Sequence, residues 1–182
     1  MKIEPTALPD VKLIKADVFE DARGSFLETW NARGFSAAGI EADFVQDNLS
    51  ESSQHTLRGL HYQIEQAQGK LVRVAQGEVF DVAVDMRKSS PSFGQWAGAV
   101  LSGDNRCSLW VPPGFAHGFL VLSRSAIFEY KCTDYYAPRH ERAIRWDDPD
   151  IGIDWPLPNG TSPHLSEKDL AAAAFRDADT YP

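Results

Sequence analysis

This sequence predicts an all-β fold, a sandwich or barrel of many short strands, and three observations point to it. The middle of the chain alternates apolar and polar residues with the period of a strand. Turn clusters interrupt that alternation often. Helix signals are few. A chain of 182 residues, 43% of them apolar and 24% charged, suits one globular domain over 1–182 with a substantial core.

The elements can be read in order. Asn31 to Ala42, after Trp30, has room for a short helix. Leu71–Val74 reads as a strand, and Gly77 marks a turn from it into the next. In that next strand Phe80, Val82, Val84 and Met86 share one face, and Asp81, Ala83 and Asp85 the other. Ser90–Gly94 and Ser102–Asn105 are turn clusters. His117, Phe119 and Val121 share a face of a later strand, and Ala126, Phe128, Tyr130 and Cys132 a face of another. Pro156, Pro158 and Pro163 then separate the strands from a C-terminal helix. That helix is expected to start at Ser166 as N-cap, with Asp169 at the third helical position, and to run on through Ala171 to Phe175. There is no internal repeat and no low-complexity linker.

Composition excludes some functions. With 18 basic and 26 acidic residues the formal net charge is −8, which argues against a nucleic-acid or anionic-membrane partner. A local basic pocket for one small phosphorylated ligand remains open, from Arg23, Arg58, Lys70, Arg73 and Lys168. No apolar run approaches the roughly 18 residues of a membrane helix. Met1–Pro5 is not followed by the long apolar segment of a secretory signal, so a cytoplasmic protein is expected. Cys107 and Cys132 are too few and too far apart for a disulfide framework or a metal site and read as ordinary reduced thiols.

The densest chemistry lies in Leu57-Arg58-Gly59-Leu60-His61-Tyr62-Gln63. Four blocks follow it in order: Gly69-Lys70-Leu71-Val72-Arg73-Val74, Asp81-Val82-Ala83-Val84-Asp85-Met86-Arg87, Pro112-Pro113-Gly114-Phe115-Ala116-His117-Gly118-Phe119, and Tyr130-Lys131-Cys132-Thr133-Asp134-Tyr135-Tyr136. Together they closely resemble the dTDP-4-dehydrorhamnose 3,5-epimerase family, cupin-fold enzymes of dTDP-L-rhamnose synthesis, from about Phe19 to Asp169. The resemblance implies a cupin-type double-stranded β-helix, a jelly-roll barrel with a few short peripheral helices. Alternation alone does not separate this from other β-barrels. It also implies an isomerase without cofactor, a dTDP-linked 4-keto-6-deoxyhexose as substrate, and a homodimer.

Such a substrate sets chemical demands. Hydrogens at C3 and C5 flank the C4 ketone and are acidified by it. Epimerisation removes each from one face and returns a proton on the other. That takes a base, an enolate stabiliser and an acid. His61 is the candidate base, because imidazole titrates near working pH; by residue type alone it reads as a structural histidine. The family's paired carboxylate corresponds to Asp169, in Lys168-Asp169; a helix cap is its alternative role. Tyr130 matches the family's proton donor, against a plain core tyrosine. Lys70 is the candidate enolate stabiliser, against a surface lysine. The loop Ile64–Gln68 before it is about one residue shorter than the family pattern.

The remaining candidates bind. Tyr136 matches the tyrosine that stacks on thymine. Arg58 matches a phosphate- or sugar-binding arginine. Strict alternation puts Arg58 and His61 on opposite faces, so a bulge at Gly59 is required to turn both inward. His117 follows the Pro-x-Gly-x-x-His pattern of cupins. Only one histidine stands in each block, an incomplete ligand set, so no metal is expected and His117 is read as a substrate contact. Asp81 is a candidate to orient one histidine. Arg23, Glu28, Gln46, Asp47 and Asn48 match nucleotide-binding positions, some supplied by the partner subunit, and Glu141 and Lys168 match two further contacts. Ordinary solvated surface is the alternative for each. Two other functions stay open. One is a C3- or C5-only epimerase, which shares nearly all these residues. The other is a non-catalytic sugar-nucleotide-binding cupin, against which the presence of both His61 and Tyr130 argues.

Overall fold

Alternation along the chain builds two facing antiparallel sheets, described here from a computed structural model covering residues 1–182. The strands are β1 (Lys2–Pro5), β2 (Lys12–Lys15), β3 (Val18–Asp21), β4 (Gly24–Leu27), β5 (Gln46–Ser53), β6 (Leu57–Gln63), β7 (Lys70–Gln76), β8 (Glu78–Asp85), β9 (Trp96–Ser102), β10 (Cys107–Val111), β11 (Phe115–Val121), β12 (Ser125–Cys132) and β13 (Glu141–Ala143). Helices are α1 (Ala32–Ala37) and α2 (Glu167–Leu170), with a 3₁₀ turn at Phe175–Asp177. One sheet has the order β1-β2-β10-β7-β12-β5 and the other β13-β6-β11-β8-β9; β3 and β4 form a separate hairpin. This is the jelly-roll barrel expected of a cupin. No helix is long and apolar enough to cross a membrane.

The core follows the strand faces. Between the sheets, Val72, Val74, Leu109 and Phe128 meet Val79, Ala83, Leu101, Phe119 and Val121. The faces read from alternation hold: Val82, Val84 and Met86 point the other way, into a second cluster with Ile144, Ile151 and Trp155 from the C-terminal third of the chain. Both faces of β8 are thus buried. Burying each such side chain is worth about 1.5–3 kcal/mol. A third cluster, with Ile14, Phe35, Ile40, Leu71 and Trp110, covers the outer face of the first sheet.

Two expectations hold and gain detail, the turn at Gly77 and a short helix after Trp30, and one, the length of the C-terminal helix, needs correction. Gly77 does turn the chain, with φ +84°, but β7 and β8 lie in different sheets, so the turn is a corner between sheets. A Cβ there would lie 2.1 Å from the Ser125 carbonyl oxygen, so the corner needs glycine. The first helix stops at Ala37, short of Ala42. Gly39 sits at φ +73°, and the N–H groups of Gly39 and Ile40 return to the carbonyls of Ser36 and Phe35, a Schellman stop with Ile40 packed near Phe35. The second helix starts at its Ser166 cap as expected but ends at Leu170. Its continuation pairs with β13 instead: Ala173 N–H donates to Ala143 O, and Arg145 N–H to Ala173 O. Tertiary pairing overrides the helix propensity of the alanine run.

Candidate active site

The site begins with an irregularity in β6. Against β11, Arg58 pairs with Phe119 and His61 with His117, so β6 takes three steps where β11 takes two. This bulge turns Arg58 and His61 into the same cavity. Gly59 makes it possible. Its φ is +121°, and a Cβ would lie 2.6 Å from Gly118 Cα and 2.7 Å from His117 O. The two backbones touch there, with no room for a side chain.

His61 is 28% exposed, and its Nε2 lies 2.5 Å from Asp169 Oδ1. Asp169 comes from α2, 108 residues further along the chain, and is buried. Burial alone pushes its carboxyl pKa up. Hydrogen bonds from His61, the Ser166 hydroxyl and the Gly59 N–H outweigh that, and the net shift is downward. Asp169 therefore stays ionised beside the imidazole.

Tyr130 and Lys70 arrive from the opposite sheet. Tyr130 shares the inner face of β12 with Phe128, and burial raises its pKa, which keeps the phenol protonated. Lys70 opens β7 opposite Cys132 of β12. Burial pulls its pKa down, while the charges of Cys132, Asp81 and Glu141 pull it back. Two compartments, about 430 and 290 Å³, meet at His61, Lys70 and Tyr130, which line both.

Deeper in, His117 Nε2 lies 3.0 Å from both Asp81 oxygens across the β8–β11 pair. Asp81 is fully buried, and desolvation raises its pKa despite His117. No group of three or more His, Cys, Asp or Glu side chains is arranged to hold a metal ion.

The smaller compartment has the character of a polar cleft. The Tyr136 hydroxyl donates to Glu141 Oε2 at 2.6 Å, and Lys168 forms an ion pair with the same carboxylate. Burial opposes ionisation of Glu141, but these partners hold its pKa down. Tyr136 N–H donates to Gln46 Oε1 at 2.9 Å, and Tyr136 as a residue is 54% exposed. Gln46 Nε2 donates to Asn48 Oδ1, which places Gln46 and Asn48 on the inner face of β5.

Some sequence candidates are not brought there. Asp47 lies between Gln46 and Asn48, so alternation turns it to the outer face, where Lys131 pairs with it at 2.9 Å. Arg73 goes to the same outer face, 3.4 Å from Glu129. Arg23 sits at the β3–β4 turn, bound to Asp21 and solvent-exposed. Glu28 contacts the α1 cap Asn31 at 3.1 Å. In this single chain neither reaches the cavity. Other residues line it that sequence reading missed: Ser50, Thr56, His164 and Ser166. The signal for one was present, because Gln46, Asn48, Ser50 and Ser52 form a strict period-two series. Ser52 accepts from Arg58 Nε at 3.0 Å, and the buried Ser50 hydroxyl has no partner.

The dTDP-4-dehydrorhamnose 3,5-epimerase family model matches residues 5–177. The chain belongs to this family. A dTDP-4-dehydrorhamnose 3,5-epimerase of Pseudomonas aeruginosa is 57% identical over 183 residues, covering 100% of both chains. The crystal structure of a dTDP-6-deoxy-D-glucose-3,5-epimerase from Legionella pneumophila, in complex with dTDP-4-keto-L-rhamnose, superposes with a TM-score of 0.94 at 51% identity, over 98% of this chain and 94% of that one. A 3′-monoepimerase from Streptomyces bikiniensis, in complex with dTDP-quinovose, gives 0.87 at 30% identity, over 94% and 87%. Fold hardly separates the two activities, but in sequence the chain stands nearer the 3,5-epimerases.

Proposed function

We propose that this chain converts dTDP-4-dehydro-6-deoxy-D-glucose to dTDP-4-dehydro-L-rhamnose by inverting C3 and C5. It acts in dTDP-L-rhamnose synthesis. The observation that carries the reading is the meeting of His61, Lys70 and Tyr130, drawn from opposite sheets, at the junction of two compartments.

His61 takes the proton from C3 or C5, and the C–H electrons move to the C4 oxygen as an enolate. Asp169 orients the imidazole and stabilises its cationic form. Lys70 favours the enolate oxygen over the neutral ketone. Tyr130 gives its phenolic proton to the carbon from the opposite face. The phenolate then recovers a proton from water, and the imidazolium releases its own. Protons balance and no electrons are exchanged, so no redox cofactor is required, and Lys70 supplies positive charge at the enolate oxygen.

Binding groups surround this centre. Tyr136 offers a flat ring for thymine. Arg58 offers guanidinium donors beyond the Nε that meets Ser52, for diphosphate oxygens. Gln46, Asn48, His117, Glu141 and Lys168 complete the contacts. Asp47 is left to its outer-face ion pair. Arg23 and Glu28 act on the partner subunit's site in a homodimer, with the β3–β4 hairpin reaching across. The exposed Phe19 and Phe26, paired on that hairpin, support this. Sedimentation at micromolar concentration is then expected near twice the 20.2 kDa chain mass. A fully active monomer contradicts it. The protein works in the cytoplasm.

Turnover in deuterated water, followed by NMR, tests the reaction. Deuterium is expected at both C3 and C5 of the product. Label at one carbon only makes the chain a monoepimerase, and no label makes it a binder.

A further inference from the structure

We propose that Gln63 is a positioning residue for this reaction: its side-chain amide fastens the loops that carry Lys70 and Tyr136 to the strand that carries the base. The inference rests on the proposed function. Gln63 ends β6, two residues beyond His61, and is 3% exposed. Its Nε2 donates to the carbonyls of Gln66 at 2.8 Å and Tyr135 at 3.2 Å. Its Oε1 accepts from the Ala137 N–H at 2.8 Å. Gln66 lies in the loop that runs into Lys70, and Tyr135 and Ala137 flank Tyr136. One amide therefore meets both loops.

The two loops are also tied to each other. Gln68 Nε2 donates to Asp134 O at 2.8 Å, Gly69 N–H to Thr133 Oγ1 at 2.8 Å, and Thr133 N–H to Gly69 O at 3.0 Å. They form one body, and Gln63 attaches that body to β6. Gln66 adopts φ +52°, a left-handed conformation uncommon for a residue other than glycine, and the Gln63 bond falls on its carbonyl.

The amide is fully used. Both Nε2 hydrogens are donated to protein carbonyls, and the oxygen is taken by a backbone N–H. A buried amide needs such partners, whereas an apolar residue would fill the same volume without them. Gln63 thus acts through the residues it holds. It sets where Lys70 and Tyr136 stand relative to His61, and catalysis is sensitive to offsets of about an ångström.

Gln63→Met keeps the length of the side chain and removes its donor and acceptor. In the folded variant, kcat is expected to fall and the dTDP dissociation constant to rise, each roughly tenfold. Both should move together because the loops move as one body. Wild-type kcat and dTDP affinity in this variant, whatever its melting temperature, would overturn the proposal. A second measurement needs no variant. Amide exchange in the wild type should protect Ala137 as well as the interior of β6. Exchange of Ala137 at the rate of an exposed loop overturns the proposal equally. Wild-type turnover in the same assay is the separate check on the function: if dTDP binds but no epimerisation occurs, that reading fails and not the placement of the loops.

Discussion

Two histidine–carboxylate pairs serve one cavity, and they are built differently. His117 and Asp81 stand on neighbouring strands of one sheet and are buried together, 8% and 0% exposed. His61 stands on a strand, but Asp169 comes from a helix at the far end of the chain, and the imidazole keeps 28% of its surface open. The carboxylates differ accordingly. Desolvation dominates at Asp81, with His117 its one hydrogen-bond partner, and its pKa rises. Asp169 has partners in His61, the Ser166 hydroxyl and the Gly59 N–H, and its pKa falls. The same residue types thus give an accessible imidazole backed by a firm negative charge, and an inner imidazole anchored to a carboxylate that resists ionisation. Only the first arrangement suits a base that must carry a proton and give it up.

The largest effect that can break this distinction is removal of each ring in turn. His61→Asn is expected to cost on the order of 10²–10⁴-fold in proton exchange at both C3 and C5. His117→Asn should act mainly on KM, by about tenfold, as the loss of one polar contact. Equal losses in kcat from the two would erase the distinction.

Next come the carboxylates. Asp169→Asn is expected to lower kcat by roughly 10- to 100-fold, the worth of a charge-assisted hydrogen bond. Stability should respond with opposite signs. The folded pKa of Asp169 is below its unfolded value, so its ionised form stabilises the fold above about pH 4, and that contribution is lost as pH falls through the folded pKa. The folded pKa of Asp81 is raised, so its contribution is present at low pH and lost as pH rises through the folded value. At pH 7, Asp169→Asn should lower the melting temperature and Asp81→Asn should hold or raise it. Thermal melts of both variants and the wild type from about pH 2 to about pH 8 check this, the Asp169 difference closing at the acid end.

The smallest expected effect is none. In both pairs the imidazole Nε2 is turned to a carboxylate. Exhaustive chelation should leave turnover unchanged; activity that vanishes and returns with one divalent metal would recast one pair as a metal site.

The comparison also shows what was legible beforehand. The faces of β8, β11 and β12 followed from period two, and with them the inward placing of His117 and Tyr130. The bulge at Gly59 followed from a conflict: two residues needed on one face, an odd number of steps apart, with a glycine between. Alternation applied to β5 would also have turned Asp47 outward and found Ser50. The His61–Asp169 pair could not be read from spacing, because contacts across 108 residues depend on how the tail packs; the family resemblance supplied it. Local propensity misled at Ala171–Ala174, where the edge of β13 offers backbone partners that a sequence window cannot see.

Tyr130→Phe in deuterated water tests the central claim, that base and acid are separate groups on opposite faces, most directly. The substitution keeps the ring and its packing against Phe128 and removes only the hydroxyl. His61 should still withdraw hydrogen and Lys70 still hold the enolate, so the recovered substrate should carry deuterium with little inversion at C3 or C5. Full inversion at both carbons at the wild-type rate would mean that water or another group is the acid, and the account would be wrong.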